Sequence, residues 1–275
     1  MRNLLISLFA IAVIYIGFYN YFFDDIYQVD KLEKLKAVKS KNVLSSADHS
    51  QFAQLNKKFD KAQDVTLACL SCHNRSHKEV MQSVHWKWER EEYIKGRGVT
   101  SFGKKNAINN FCIAIGGNEV SCNRCHAGYG WEDASFDFSD SSSIDCIVCH
   151  DNSSTYFKAK DSSGYPDASV DLSLVAKSVG GPKNENCGAC HFFGGGGNNV
   201  KHGDLEKSLL SADENLDIHM NVGGMGMVCV DCHTAENHQV KGKMYSISSM
   251  NRNRLFCEDC HTLAPHEEGI LSSNN

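Results

Sequence analysis

Positive charge is not in excess along this chain. The 28 Lys and Arg are set against 33 Asp and Glu, a formal net charge of −5, which excludes the cationic surface that nucleic-acid binding requires. The glycine run from Gly194 to Gly197 lacks the lysine and hydroxyl-bearing residue of a phosphate loop. It reads instead as backbone passing close to a neighbouring group.

Cysteine, by contrast, is plentiful. Twelve of thirteen cysteines fall into six C-x-x-C pairs, and no pair lacks a histidine directly after it. The motifs are Cys69, Cys72, His73; Cys122, Cys125, His126; Cys146, Cys149, His150; Cys187, Cys190, His191; Cys229, Cys232, His233; and Cys257, Cys260, His261. With Cys and His each at 13 of 275, chance supplies roughly 0.03 such motifs. Zinc would give no reason for the histidine, a disulfide across two residues closes too small a loop to constrain much, and iron–sulfur clusters use denser cysteine runs. The spacing instead suits covalent attachment of c-type haem: two thiols bond one porphyrin, and the next residue lies beneath the iron as its proximal ligand. Six covalently bound haem c groups are expected.

Leu4 to Phe23 is uncharged and apolar, about the length that spans a bilayer. It follows Arg2 and ends in bulky aromatics, without the small-residue cleavage site of a signal peptide. Residues 1–28 are therefore expected to form a membrane anchor, with the rest on the periplasmic side under the positive-inside rule. Residues 29–45, with Val29, Leu32, Leu35 and Val38 among charged residues, suit a helical stalk or linker. Residues 46–275 form the multihaem cytochrome c domain. Its expected fold is mainly α with extensive irregular loops, organised around packed haems and with little sheet. The first cysteines of successive motifs lie 53, 24, 41, 42 and 28 residues apart, too irregular for a solenoid.

Six proximal histidines leave His49, His77, His85, His202, His219, His238 and His266 as distal candidates. Met220, Met225 and Met227 are weaker ones, since methionine more often packs. Mostly bis-histidine iron is expected, which passes electrons, whereas substrate chemistry needs an exchangeable position. Trp86 and Trp88 are expected on haem faces or in core.

Several inter-motif stretches resemble the octahaem tetrathionate reductase family of multihaem cytochromes. They are SSADHSQF from Ser45, HWKWE from His85, GKKNAINNFC from Gly103, CHAGYGW from Cys125, FDF from Phe136, DCIVCHD from Asp145, CHFFGGGGNNVKHGDLEKSL from Cys190, DIHM from Asp217 and NHQVKG from Asn237. Family members carry eight haems, and the sequence stops nine residues after His266; a natural short form, a truncated copy and an incomplete sequence all fit. The resemblance implies one haem with a lysine as distal ligand and active site. Lys158 is the first choice and Lys160 the second, opposite the iron of His126, with Cys112 nearby. It also points to His49, His85, His202, His219, His238 and His266 as the distal pool, leaving out His77.

The expected function is a reductase that takes electrons from a membrane quinol dehydrogenase or another cytochrome and reduces a small inorganic anion. Tetrathionate comes first, and nitrite or hydroxylamine would suit the same site. A non-catalytic electron-transfer cytochrome is the alternative, and a defective fragment is a third reading.

Overall fold

The computed structural model describes residues 11–19, 47–106, 114–192, 205–242 and 255–260. Cys112, His202, His261, His266, the stalk, the glycine run and much of the anchor segment lie outside them. The chain divides into two compact units, residues 47–254 and a smaller one made of residues 1–46 and 255–275. In the smaller unit, residues 11–19 form helix α1 with exposed side chains. Among the described residues no helix is long and apolar enough to cross a membrane.

The larger unit is built from short helical turns and loops. Helices α2 (Ala62–Cys72), α3 (Ser76–Val80) and α4 (Val84–Lys87) lead into a hairpin of β1 (Arg90–Ile94) and β2 (Gly98–Phe102), followed by α5 (Glu119–Cys122), α6 (Ile147–His150), α7 (Leu172–Lys177), α8 (Asn184–His191) and α9 (Cys229–Cys232). A second hairpin pairs β3 (Ala235–Glu236) with β4 (Gln239–Val240). Both sheets are two-stranded and antiparallel.

Among the described residues each C-x-x-C-H motif places its cysteines on or beside a helical turn: α2, α5 with the 3₁₀ turn Asn123–Cys125, α6, α8, α9, and, in the smaller unit, the 3₁₀ turn Cys257–Asp259. The reason is geometric. Residues three apart share one face of a helix, so the two thiols of each motif point the same way. Such short helices have little propensity of their own, and local caps define several. Asp171 accepts hydrogen bonds from the Ser173 and Leu174 amides at the start of α7, and the Ser83 hydroxyl accepts from the Trp86 amide at α4.

Two apolar clusters hold the larger unit. One joins Leu55, Phe59 and Val65 to Ile147, Val170, Val175 and Ala176, locking α2 and α7 around motif three. The other joins Trp88, Ile115 and Trp131 with Phe136 and Phe138. Trp86 and Trp88 are thus both buried in core. The Thr66 hydroxyl, fully buried, donates to the Ile144 carbonyl at 2.6 Å and pins α2 to the strand-like stretch before motif three.

Thr66→Val keeps the side-chain shape but leaves that carbonyl without its donor. The expected cost is about 1–3 kcal/mol, read as a lower urea midpoint with an unchanged slope in haem-loaded protein.

Candidate haem ligands and the lysine site

Three motif histidines face a distal candidate across a near-constant distance. The ring of His73 lies 6.3 Å from that of His49, His191 lies 6.4 Å from His85, and His150 lies 6.5 Å from His238, centre to centre. The ring planes meet at 24°, 84° and 70°, at the long end of the separations seen for ring contacts. Two histidine–metal bonds of about 2 Å each, plus the half-widths of two imidazoles, account for the distance. The donor set therefore fits iron held between paired histidines.

Protonation states agree with that fit, because a ligating imidazole must be neutral. Burial, reinforced by the facing His191, pushes His85 down to about 4, and burial likewise lowers His150. The Nδ1 of His150 lies 2.8 Å from the Gly180 carbonyl and that of His233 lies 2.9 Å from the Lys241 carbonyl. A carbonyl only accepts, so Nδ1 carries the proton and Nε2 is left as the donor atom.

Motif two is arranged differently. His126 is buried in a cage of aromatic rings, with Trp86, Trp88, Trp131, Phe136 and Phe138 centred 5.0 to 6.0 Å away. Its Nε2 donates to the Trp86 carbonyl at 2.6 Å, so ligation through Nε2 requires exchange of that bond for the metal. Burial dominates its titration, pushing it down to about 3, with Lys158 and Lys104 adding to the fall and the Trp86 bond opposing it. Gly128 follows two residues later, where an added Cβ would strike Trp86, the Ser143 carbonyl and the His126 ring at 2.6 to 2.9 Å. Only glycine lets these segments close so tightly.

Lys158 is buried beside this motif. Its Nζ donates to the carbonyls of His126 at 2.6 Å and Gly128 at 3.0 Å and pairs with Asp145 Oδ2 at 3.0 Å. Asp145 is a hub: it also accepts from the hydroxyls of Tyr129 at 2.9 Å and Tyr156 at 2.8 Å and from the Val148 amide at 3.0 Å. Burial, with the Asp145 charge adding to it, pushes both tyrosines well above their usual range, so they remain hydroxyl donors. The sequence singled out Lys158 but missed this hub; the one available signal was an aspartate directly before the Cys146 motif. Lys160 is exposed and has no part in the cluster.

A cavity of about 270 Å³ opens beside Lys158, lined by Arg124 and Lys183, by Asp151 and Glu185, and by Tyr156 and Asn186 among others. A larger one of about 410 Å³ is ringed by Glu132, Asp133, Asp137 and Asp140, whose charge would repel an anion. Of the remaining distal candidates, His219 is half exposed with Nδ1 3.8 Å from Asp217. His77 is half-buried, its Nδ1 without a hydrogen-bond partner.

Thiols of different motifs also meet. Cys69 lies within hydrogen-bonding reach of Cys146, Cys125 of Cys190, and Cys187 of Cys229. Motifs one and three, two and four, and four and five are therefore direct neighbours.

No family model matches the chain. An uncharacterised protein of Archaeoglobus fulgidus is 26% identical over 221 residues, 62% of this chain and 73% of that protein. The crystal structure of octahaem cytochrome c from Shewanella oneidensis aligns with a TM-score of 0.72 and 41% identity over 81% of this chain. The chain spans 49% of that structure's length. The motifs, the facing histidines and this likeness lead to one conclusion: the chain is a multihaem c-type cytochrome similar to octahaem cytochrome c, and the resemblance to the octahaem family read from its loops holds.

Proposed function

We propose that this cytochrome carries six haem c groups and reduces a small inorganic oxidant at a haem whose distal ligand is Lys158. It works on the periplasmic side of the inner membrane, held by its N-terminal segment, and receives electrons from a quinol dehydrogenase or another cytochrome. Tetrathionate is the leading substrate: two electrons break its central S–S bond and release two thiosulfates. Nitrite and hydroxylamine suit the same site.

When bound, haem supplies one-electron storage and an iron centre able to exchange a ligand. The paired cysteines would attach it, and His73, His150 and His191, together with His49, His238 and His85, would hold it. His126 does so at motif two by giving up its bond to Trp86. His233 and His261 are the remaining proximal ligands, with His202, His219 and His266 completing the distal pool. Cys112 belongs beside the lysine-ligated haem.

The observation that carries the reading is a lysine buried beside motif two and held by one carboxylate and two carbonyls. As a neutral amine, Lys158 is a ligand. Displaced, it takes a proton at Nζ, and Asp145 and the two carbonyls hold the resulting ammonium. There the ammonium, which with Arg124 and Lys183 outnumbers Asp151 and Glu185 in the cavity lining, offsets the charge of an incoming anion.

Lys158→Ala removes the ligand but also leaves Asp145 charged and buried, which costs about 3–5 kcal/mol. Lys158→Ala with Asp145→Asn neutralises both partners and is expected to recover part of that loss in urea unfolding. Low-temperature electron paramagnetic resonance separates the roles: both variants lose one signal that is not bis-histidine if Lys158 is a ligand. A set of signals identical to wild type would leave Lys158 a structural ion pair and the protein an electron conduit.

Turnover provides the second test. Dithionite-reduced wild type is expected to reoxidise faster with tetrathionate, nitrite or hydroxylamine than without, and the double variant to lose most of that acceleration. A wild-type rate indifferent to all three oxidants would remove the reductase reading.

A further inference from the structure

The hairpin of β3 and β4 turns through Asn237 and His238, both in the left-handed region at φ 49° and 60°. Glu236 pairs with Gln239 across it, so it is a two-residue turn with positive φ at both central positions. Glycine fills the second of those positions without steric cost, and Asn-Gly is the favoured pair. A histidine there stores backbone strain, which persists only where its surroundings over-determine the conformation.

Two contacts from outside the hairpin do this. The Nδ1 of His238 donates to Glu79 Oε2 at 2.8 Å, and its ring faces His150 at 6.5 Å. The Gln239 side chain ties the same turn to α3 by donating to the Glu79 carbonyl at 3.1 Å. The facing His150 meets a neutral carbonyl at Nδ1 instead, that of Gly180. The two histidines of this pair are thus alike in orientation and different in charge behind the ring.

We infer that Glu79 is a positioning residue that aims His238 and lowers the reduction potential of the haem at motif three. The inference rests on the proposed pairing of His150 with His238. Reduction adds one electron to ferric iron and gives ferrous iron, with both imidazoles retained and no proton exchanged. The ferric state carries one more unit of positive charge, so a carboxylate behind the distal ring favours it. A hydrogen bond from Nδ1–H to a carboxylate also makes the imidazole a stronger donor, and such outer bonding is a recognised lever on haem potential. Glu79 and His238 are each about a third exposed, 33% and 36%, so solvent screens part of the effect.

Location gives the shift a consequence. Motif three touches motif one through Cys69 and Cys146, and α6 packs on α8, which carries motif four. Electrons crossing between those neighbours meet the Glu79-tuned haem on the way, and its potential meters their passage.

The test is a spectroelectrochemical titration of the full, haem-loaded chain, with Glu79→Gln keeping size and a hydrogen-bond acceptor while removing charge. One component is expected to move to higher potential, one bis-histidine resonance to shift its g values, and haem content to stay unchanged. Glu79→Asp, which retains the charge, is expected to stay nearer wild type. A Glu79→Gln titration that superimposes on wild type overturns the inference. His238→Ala separates the two levels of the argument. If it leaves every bis-histidine signal in place, the pairing itself fails and the inference falls with it. If it removes one while Glu79→Gln moves no potential, the pairing stands and the tuning alone fails.

Discussion

Three pairs of imidazoles held 6.3 to 6.5 Å apart organise the larger unit. Each pair joins distant stretches of chain: His49 with His73, His85 with His191, His150 with His238. An ordinary domain of this size brings distant segments together through a continuous apolar core. Here the two clusters around Val175 and Trp131 are small. The facing histidines add three more places where distant segments of the larger unit come together.

The attachment motifs were fully legible in the sequence, because C-x-x-C-H encodes chemistry over five adjacent residues. Their placement on helical turns followed from the same spacing, and the mainly helical, loop-rich fold with little sheet matched expectation. Which histidines face one another was not legible. His238 could have been matched to any motif until β3 and β4 placed it at a turn tip opposite His150. Nor was Asp145, whose importance comes from Tyr129 on one loop and Tyr156 and Lys158 on another converging on one carboxylate. A sequence displays local spacing, while convergence is a property of the folded backbone. Glu79 shows the same limit: nothing in its helix marks it, and its partner lies 159 residues away.

Around motif two the chain places opposite environments side by side. Trp86, Trp88, Trp131 and two phenylalanines surround His126 with apolar rings, while the carbonyl of that same residue accepts a hydrogen bond from Lys158. Lys158 is tolerated so close to apolar rings because Asp145 and two carbonyls accept its hydrogen bonds. The glycine at 128 allows this contact, since any side chain there would push the caged ring and the lysine's carbonyl partners apart.

The meeting of thiols from different motifs bears on the order of assembly. Cys125 sits against Cys190, which lowers its thiol from the usual range. Cys69 against Cys146 and Cys187 against Cys229 repeat the contact. In an oxidising compartment a chain that compacted first would be primed to join these sulfurs to each other. One such bond would disable two attachment motifs at once. Porphyrin that reaches the motifs before these thiols meet avoids that loss, since a sulfur already bonded to haem is no longer free to join another.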